Sequence, residues 1–439
     1  MTAVARPVPS VRGGVAIGSV VGGAVALAAL SLLAPYALAF DPLAWLVWGR
    51  ETTRLALDTS SGPSWKPFPV LFTTPLTVFG GAAPALWLVV ARAGGLLAVA
   101  GTYALAARLG GRWAGIAGAA AMALSPWWLF NTALGNSEGL LAAAVVWAVL
   151  AHVAGHRRAA LALATAAALM RPEVWPFLAA YGLWLWRDER RAVIAVAVIV
   201  PLLWFGPDVI GAGGALDASH TARGGASPES AKNASIPALA VLADMADVLT
   251  LPALVAAVIA VVAGGPLARW IAAAAAGWIV VVAAMTLAGY AGNPRYLVAA
   301  AALGAALAGA GAVRAAGAVG AAILVVAVFA TTVGTLRDQV SDLADRADSA
   351  NAFDGVIAAA GGRDPLVRCA RIRTSASART LVAWRLDLPL REIDATPFRP
   401  AVVIRARWFY GAGLEPPRTP GYRTLATAPD WQVIAACRS

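Results

Sequence analysis

The chain has 439 residues, of which 60% are hydrophobic and only 13% are charged, and its mean hydropathy is +0.72. Soluble domains carry roughly 25% charged residues, so this composition excludes an ordinary soluble protein and predicts an integral membrane protein. The net charge of +11 does not indicate nucleic-acid binding, because the basic residues fall in short clusters between apolar runs. Such clusters are typical of topology signals and of contacts with anionic lipids.

Eleven apolar runs are candidates for membrane-spanning helices, since a helix needs about 20 apolar residues to cross roughly 30 Å of hydrocarbon. They cover residues 14–40, 84–109, 114–133, 138–155, 158–171, 174–187, 192–209, 250–265, 270–289, 295–313 and 315–335. The first run could instead be a signal peptide, but it is longer than a typical signal-peptide core. The fifth and sixth runs are short, and we expect them to form a hairpin with MRPEVWP at its tip.

Arginines occupy every second connection between these runs, as the positive-inside bias requires of cytoplasmic loops. The pattern predicts an all-α polytopic domain over residues 1–335, with a cytoplasmic N-terminus in a bacterial plasma membrane. Two long connections, residues 41–83 and 206–249, then lie on the outer side, where long ordered loops are commonly functional. In the second, IPALAVLADMADVL has the apolar spacing of a helix that could lie along the interface.

Residues 336–439 are polar and charged, and they predict a small extracytoplasmic α/β domain. One or two helices are expected in RDQVSDLADRADSANAFDGVIAAAG. Strands are expected in four segments that alternate or run in β-branched and aromatic residues, namely DPLVRCARIRT, ARTLVAWRLDLPL, PAVVIRARWF and DWQVIAACRS. The chain contains only two cysteines, Cys369 and Cys437, and both lie in this domain. An extracytoplasmic position would allow them to form a disulfide.

Asp41 lies at the outer end of the first apolar run, directly before Pro42, in FDPLAWLVWGRE. Partial desolvation at the membrane boundary raises the basicity of a carboxylate, and lipid-borne substrates are within reach there. Asp41 is therefore a candidate general base; the alternative is an ordinary helix cap. Arg50 and Glu51 follow in the same segment and are candidate substrate contacts.

Lys66, in SGPSWKPFP, is one of very few lysines in a chain whose basic residues are nearly all arginine. A lysine between prolines on a stiffened loop could hold a phosphate at the level of the lipid headgroups, or could simply contact lipid. Arg295 and Tyr296, in AGNPRYLVAA, open a late apolar run on the same side. An arginine there could bind a phosphate with two hydrogen bonds, or could reach out to the interface.

Glu138 begins the fourth run, where an acidic residue also favours the start of a helix. Arg171 and Glu173 lie at the tip of the short hairpin, where charges are costly unless they pair with each other or meet a substrate. The sequence contains no Walker loop, no GxGxxG at a strand-to-helix turn, no HExxH and no CxxC. The three histidines are scattered, so a histidine metal site is not expected, although Asp41 and Glu138 leave a site with oxygen ligands open.

Four segments together resemble the GT-C superfamily of glycosyltransferases that use polyprenyl-phosphate sugars: FDPLAWLVWGRE, SWKPFP, MRPE and NPRYL. The likeness is to the branch of protein mannosyltransferases and aminoarabinose transferases and to the rhizobial galacturonosyltransferases, and it covers residues up to about 335. It implies an inverting transfer of sugar to an extracytoplasmic hydroxyl of a cell-envelope glycan, lipid or protein. Many relatives have two adjacent acidic residues in the first loop, whereas here Pro42 follows Asp41, so metal dependence is not favoured.

Within this resemblance, Asp41 is the catalytic base. Lys66 and Arg295 would bind the leaving phosphate, and Glu138, Arg171 and Glu173 would shape the sugar pocket. The alternative from another class is a transporter or lipid flippase, which would also carry ionisable groups in its membrane domain. Such proteins often show repeat symmetry and charges near the midplane, whereas the charges here cluster at one boundary and the two halves look dissimilar.

Overall fold

The computed structural model describes residues 13–224, 230–393, 400–406 and 421–437. The chain is mostly helical. Its first helices are α1 (Gly13–Leu30), α2 (Phe40–Thr53), α3 (Pro67–Leu76), α4 (Ala83–Gly110), α5 (Arg112–Ala123), α6 (Pro126–Ala133), α7 (Glu138–Val153), α8 (Arg157–Ala168), α9 (Trp175–Leu185) and α10 (Arg190–Gly211). They are followed by α11 (Asp217–Gly224), α12 (Pro237–Leu249), α13 (Leu251–Ala263), α14 (Pro266–Leu287), α15 (Val298–Ala359), α16 (Arg363–Cys369) and α17 (Arg379–Arg385).

Several helices are long and apolar enough to cross a membrane. In the described part of the chain, four helical segments pass by length and composition, and two bent pairs, α5 with α6 and α12 with α13, bring the number to six. The segment Ile17–Leu33 and helix α7 are apolar but shorter. Each of the eleven predicted runs falls on a helix, so the predicted fold class is confirmed. The number of crossings stays a prediction.

Helix α15 contains a sharp turn. Ala316 and Gly317 leave the helical conformation, and Gly317 has a φ of +57°, which glycine adopts readily. A Cβ atom placed on Gly320 would lie only 2.0 Å from the carbonyl oxygen of Ala312, whereas eight residues span about 12 Å along a straight helix. The chain therefore folds back here, between the predicted runs 295–313 and 315–335. The second half continues without a break to Ala359, so the helix predicted after residue 335 is an extension of the last run.

Small residues let the central helices approach closely. A Cβ atom on Gly309 of α15 would lie 2.2 Å from the carbonyl oxygen of Ala114 in α5, and one on Gly311 would lie 1.8 Å from that of Ala256 in α13. Only glycine fits at such contacts. The abundance of alanine and glycine thus allows tight backbone packing, and van der Waals contacts of this kind help to hold helices together in a membrane.

The C-terminal domain holds a four-stranded sheet made of β1 (Arg371–Arg373), β2 (Ala401–Ala406), β3 (Arg423–Thr427) and β4 (Trp431–Ala436). The strand order is β1-β2-β4-β3, with β1 and β2 parallel and the other pairs antiparallel. Cys369, at the end of α16, and Cys437, after β4, form a disulfide with a Cα–Cα distance of 4.6 Å.

The predicted strands are partly wrong. PAVVIRARWF and DWQVIAACRS contain β2 and β4, although residues 407–420 and 438–439 lie outside the described residues. DPLVRCARIRT is mostly helix α16 followed by β1, and ARTLVAWRLDLPL forms helix α17. Four consecutive residues of α17, Thr380 to Ala383, are buried, and a short run that is buried on all sides suits a helix as well as a strand. Strand β3 was not predicted.

Candidate functional site

Helix α2 carries Asp41 in its first turn. The N-cap of the helix is Ala39 and no side chain caps it, so Asp41 is not a capping residue. Residues 41 to 51 of α2 are all buried. The helix is held in place because the Ala39 N–H donates to the carbonyl of Leu134 (3.0 Å) and the Thr73 hydroxyl of α3 donates to the carbonyl of Trp45 (2.7 Å). The carboxylate therefore has a fixed position, close to the positive end of a helix dipole.

Two cations meet at the Asp41 carboxylate. Lys66 Nζ lies 3.3 Å from Asp41 Oδ2, and Arg295 Nη2 lies 3.2 Å from the same oxygen. Lys66 directly precedes Pro67, the first residue of α3, and Arg295 belongs to the short 3-10 turn Pro294–Leu297. Residues 25 and 254 positions from Asp41 along the chain thus converge on one oxygen atom.

A second group of charges adjoins the first. Arg171 donates a hydrogen bond to Glu138 Oε1, and its Nη1 lies 3.7 Å from Glu173 Oε1. Arg295 links the two groups, since its Nε lies 3.9 Å from Glu138 Oε1. The Arg171 guanidinium also lies over the Tyr296 ring, 4.0 Å from its centroid. Arg171 is thus held more closely by Glu138 than by its sequence neighbour Glu173.

The cluster contains three cations and three carboxylates and is formally neutral. Its members are Asp41, Lys66, Glu138, Arg171, Glu173 and Arg295, and we call them the charge cluster. The Glu138 side chain is only 1% exposed and that of Arg295, the most open of the six, is 23% exposed. Buried charges are stable only when they are paired and hydrogen-bonded, which explains their dense mutual contacts.

The cluster perturbs the ionisation of Asp41 and Lys66, which both lie outside the apolar spans. Burial alone would raise the pKa of Asp41, but the charges of Arg295 and Lys66 outweigh it and lower that pKa to about 2. Burial, together with the nearby Arg171, lowers the pKa of Lys66 to about 8. Asp41 is therefore ionised throughout the physiological range. Lys66 is a cation that gives up its proton more easily than an exposed lysine.

A cavity of about 600 Å³ opens beside the cluster. Asp41, Lys66, Arg171, Glu173 and Arg295 line it, together with Tyr296. The lining also includes Trp175, Trp204, Asp208, Tyr290 and residues of α11. These additional lining residues were not predicted from the sequence. Only the expectation that the loop over residues 206–249 is functional pointed towards α11 and Asp208.

Arg50 and Glu51 are not part of this cavity lining. Arg50 contacts α17 in the C-terminal domain, where its Nη2 lies 2.9 Å from the carbonyl oxygen of Leu388. Glu51 accepts a hydrogen bond from the N–H of Asp58 (3.1 Å). Of the eight candidate substrate contacts, the structure brings together Lys66, Glu138, Arg171, Glu173, Arg295 and Tyr296, but it leaves these two at the other end of α2.

Within the described residues, no group of three or more histidine, cysteine, aspartate or glutamate side chains is placed to hold a metal ion. Asp41 and Glu138, the carboxylates considered as ligands, have cationic side chains as their nearest charged partners. This donor set does not fit a metal site. It fits an anion, which Lys66 and the two arginines could bind from inside the cavity, since arginine and lysine are the usual ligands of phosphate.

Two solved structures have a fold similar to that of this chain. No protein-family model and no curated protein sequence matches this chain. The chain is similar to the crystal structure of ArnT from Cupriavidus metallidurans bound to undecaprenyl phosphate, with a TM-score of 0.60, 15% identity, and coverage of 97% of this chain and 99% of that one. It is also similar to the same protein in the apo state, with a TM-score of 0.54, 14% identity, and coverage of 96% and 98%. The chain is therefore a multi-pass membrane protein with an ArnT-like fold.

Proposed function

We propose that the chain is an inverting membrane glycosyltransferase that moves a sugar from a polyprenyl-phosphate donor to an extracytoplasmic hydroxyl group. The observation that carries the proposal is the convergence of Asp41, Lys66 and Arg295 on one wall of one cavity. The fold adds support, because ArnT, which shares it, has been crystallised with undecaprenyl phosphate. A donor held by a lipid chain needs no nucleotide-binding domain, only cations at the level of its headgroup.

In the proposed reaction, the acceptor oxygen attacks the anomeric carbon from the side opposite the phosphate. The bond between that carbon and the phosphate oxygen breaks, its electrons stay on the departing lipid phosphate, and the configuration inverts. Asp41 takes the proton of the acceptor hydroxyl. Lys66 and Arg295 stabilise the negative charge that grows on the phosphate, and they do so more strongly in the transition state than in the bound donor.

The geometry also supplies a way to activate the base. In the structure, Lys66 and Arg295 both contact Asp41 Oδ2, and a carboxylate so paired is a weak base. A donor phosphate bound to the same two cations competes with Asp41 for them. Donor binding therefore raises the basicity of Asp41 at the moment when an acceptor hydroxyl must be deprotonated.

The remaining cluster residues support these three. Glu138, buried behind the cavity, holds Arg171 and reaches Arg295, so it orients two cations without lining the cavity itself. We propose that Arg171, Glu173 and Tyr296, which do line it, contact the sugar. The proposal also places the cavity and the C-terminal domain on the extracytoplasmic side, in accordance with the distribution of arginines among the loops.

The test is sugar transfer by the purified protein in nanodiscs, with a panel of labelled undecaprenyl-phosphate sugars and extracted cell-envelope acceptors. We expect one donor to be consumed, with release of undecaprenyl phosphate and a product anomer opposite to that of the donor. Asp41→Asn should lower the rate of transfer by about 10²- to 10⁴-fold. Full activity in that variant, or retention of the donor's anomeric configuration, would refute the mechanism.

A further inference from the structure

The C-terminal end of α2 is fastened to the C-terminal domain through Arg50. The Arg50 side chain is 11% exposed and forms an ion pair with Asp387 (2.9 Å). It also donates to the carbonyls of Ala383 (3.3 Å), Trp384 (3.3 Å) and Leu388 (2.9 Å), which lie at and just beyond the end of α17. The last carbonyls of a helix lack partners within the helix, and a cation placed there satisfies them and the helix dipole.

The loop after α2 is held by the same part of the C-terminal domain. Arg391 pairs with Asp58 (3.0 Å) and Arg379 donates to the hydroxyl of Ser61 (3.2 Å). At Gly62, which has a φ of +110°, a Cβ atom would lie 2.8 Å from the Leu390 side chain. We call residues 379–391 the latch, because this one segment contacts α2 and its loop from residue 50 to residue 62.

The latched loop leads directly into the charge cluster. Only three residues separate Gly62 from Lys66, and Gly62, Pro63, Ser64 and Lys66 all line the 600 Å³ cavity. Pro63 and Pro67 restrict the backbone on either side of this stretch. A displacement of the loop at Gly62 therefore has little room to be absorbed before it reaches Lys66.

We propose that the latch positions Lys66 and the C-terminal end of α2, and that Arg50 is a positioning residue for donor binding. The effect of Arg50 on catalysis rests on the proposed function, because Arg50 acts through Lys66. The effect of Arg50 on the placement of Lys66 is independent of that function. The role of the C-terminal domain in this view is to fix the geometry of a site to which it contributes no catalytic residue.

The chain offers an assay that does not depend on sugar transfer, because it contains only two lysines, Lys66 and Lys232. The folded protein in nanodiscs is treated with N-hydroxysuccinimidyl acetate, and acetylation of each lysine is followed by peptide mass spectrometry. Lys66 is 6% exposed and paired with Asp41, so we expect it to react slowly. Lys232, in the long outer loop, serves as the internal reference.

Arg50→Ala should raise the ratio of Lys66 to Lys232 acetylation about tenfold, since losing a charged hydrogen-bond anchor makes local opening easier by at least that factor. Arg54→Ala is the matched control. Arg54 pairs with the same Asp387 (3.0 Å), but its side chain is 55% exposed, so its loss should leave the ratio unchanged. Arg50→Lys keeps the charge but not the planar arrangement of donors, so its acetylation ratio should lie between those of Arg50→Ala and Arg54→Ala.

An unchanged ratio in folded Arg50→Ala would overturn the proposal, and so would an equal rise in Arg54→Ala. Folding is checked by gel filtration and by the intact Cys369–Cys437 disulfide. Should Arg50→Ala fail to fold, Gly62→Ala replaces it, with Gly361→Ala as its control. Gly361 has a similar φ of +101°, but its nearest contact is a Pro365 atom at 4.0 Å. A rise in the ratio in Gly62→Ala alone supports the latch, and no rise overturns it.

Kinetics of sugar transfer, measured beside the acetylation assay, distinguish a failure of the latch from a failure of the proposed function. For a donor that wild type uses, we expect Arg50→Ala to raise the donor KM about tenfold and to change kcat less. A protein that transfers no sugar but shows the rise in Lys66 acetylation refutes the proposed function and leaves the latch standing. If wild type transfers sugar and Arg50→Ala leaves the acetylation of Lys66 unchanged, the proposed function stands and the latch is refuted.

Discussion

Replacing Asp41 by asparagine removes the proposed base while it keeps the size of the side chain. Loss of a general base typically lowers the rate by about 10²- to 10⁴-fold, and we expect a fall in kcat within that range. The same change removes an anion that lies 3.3 Å from Lys66 and 3.2 Å from Arg295. An unpaired buried charge costs about 3–5 kcal/mol. The loss of stability in Asp41→Asn should be at the lower end of this range, because Arg295 still contacts Glu138 and Lys66 can lose its proton.

The assay measures initial rates of transfer in nanodiscs, together with the thermal midpoint of each variant. The matched control is Asp188→Asn, the same chemical change in a carboxylate whose side chain is 57% exposed and pairs with Arg157. An exposed pair contributes roughly 0–1 kcal/mol, so this control should keep its activity and its midpoint. A folded Asp41→Asn protein with more than about one tenth of the wild-type kcat would refute Asp41 as the base.

The pH dependence gives a sharper version of the same prediction. A carboxylate base is active above its pKa, and the pKa of Asp41 in the free protein is about 2, so kcat/KM should show no acid limb from Asp41 above about pH 4. In the proposed mechanism, donor phosphate draws Lys66 and Arg295 away from Asp41 and so raises the pKa of Asp41 in the complex. The acid limb of kcat should therefore lie at higher pH than that of kcat/KM, and coincident limbs would contradict the proposed activation.

Three further predictions follow from the cluster and the latch. Lys66→Ala should raise the donor KM by about tenfold or more with a smaller change in kcat, and wild-type kinetics would remove Lys66 from the donor site. Glu138→Gln should lower the thermal midpoint, because it leaves the buried Arg171 without its closest anion; the loss should be on the order of 3 kcal/mol, and an unchanged midpoint would contradict the pairing. Burial raises the pKa of Glu51 from 4.5 to about 7, despite the hydrogen bonds that its carboxylate accepts from the backbone N–H groups of Asp58 and of Leu390 in the latch, so the free energy of unfolding should fall as pH rises from 4.5 through 7, by up to about 3 kcal/mol. Glu51→Gln should flatten that fall, which thermal midpoints from pH 5 to pH 8 would reveal.

The helical fold class was predictable because each signal for it is local. Apolar length marks the helices, and together with arginine placement it puts Asp41, Glu138, Arg171 and Arg295 at the ends of runs on one side and Lys66 in a loop on that same side. The structure brings these five together because ends on one side of a bundle share a small area. Their pairing was less predictable. Arg171 bonds to Glu138 on another helix, whereas the sequence suggested its neighbour Glu173.

Arg50 lies away from the cavity for a reason that follows from the helix period. Asp41 and Arg50 are nine residues apart, and at about 100° per residue that separation turns the second side chain to the opposite face of a helix. Treating FDPLAWLVWGRE as a loop concealed this, because residues of a loop can all face one pocket. Once the segment is recognised as α2, the same arithmetic predicts two faces with different partners.

The contacts of α2 with the C-terminal domain could not be predicted at all. They depend on the position of α17, a segment that was taken for a strand, and on carbonyl groups that any sequence would supply. Backbone carbonyls are present whatever the side chains are, so the amino-acid sequence does not show which of them will accept a hydrogen bond from Arg50. The part of the cavity lining that comes from α11 and Tyr290 was missed for a related reason, since small residues such as Ala218 and Ser219 carry little information about which cavity they line.

The pairing of Lys66 and Arg295 at one anion site has a consequence for turnover. A donor of the proposed class is a phosphodiester with one negative charge, whereas the lipid product is a phosphomonoester whose charge approaches −2 at neutral pH. The two cations, Lys66 and Arg295, hold the second more firmly than the first. Departure of the spent carrier is therefore expected to limit the rate, and added undecaprenyl phosphate should act as a competitive product inhibitor that protonation at lower pH weakens.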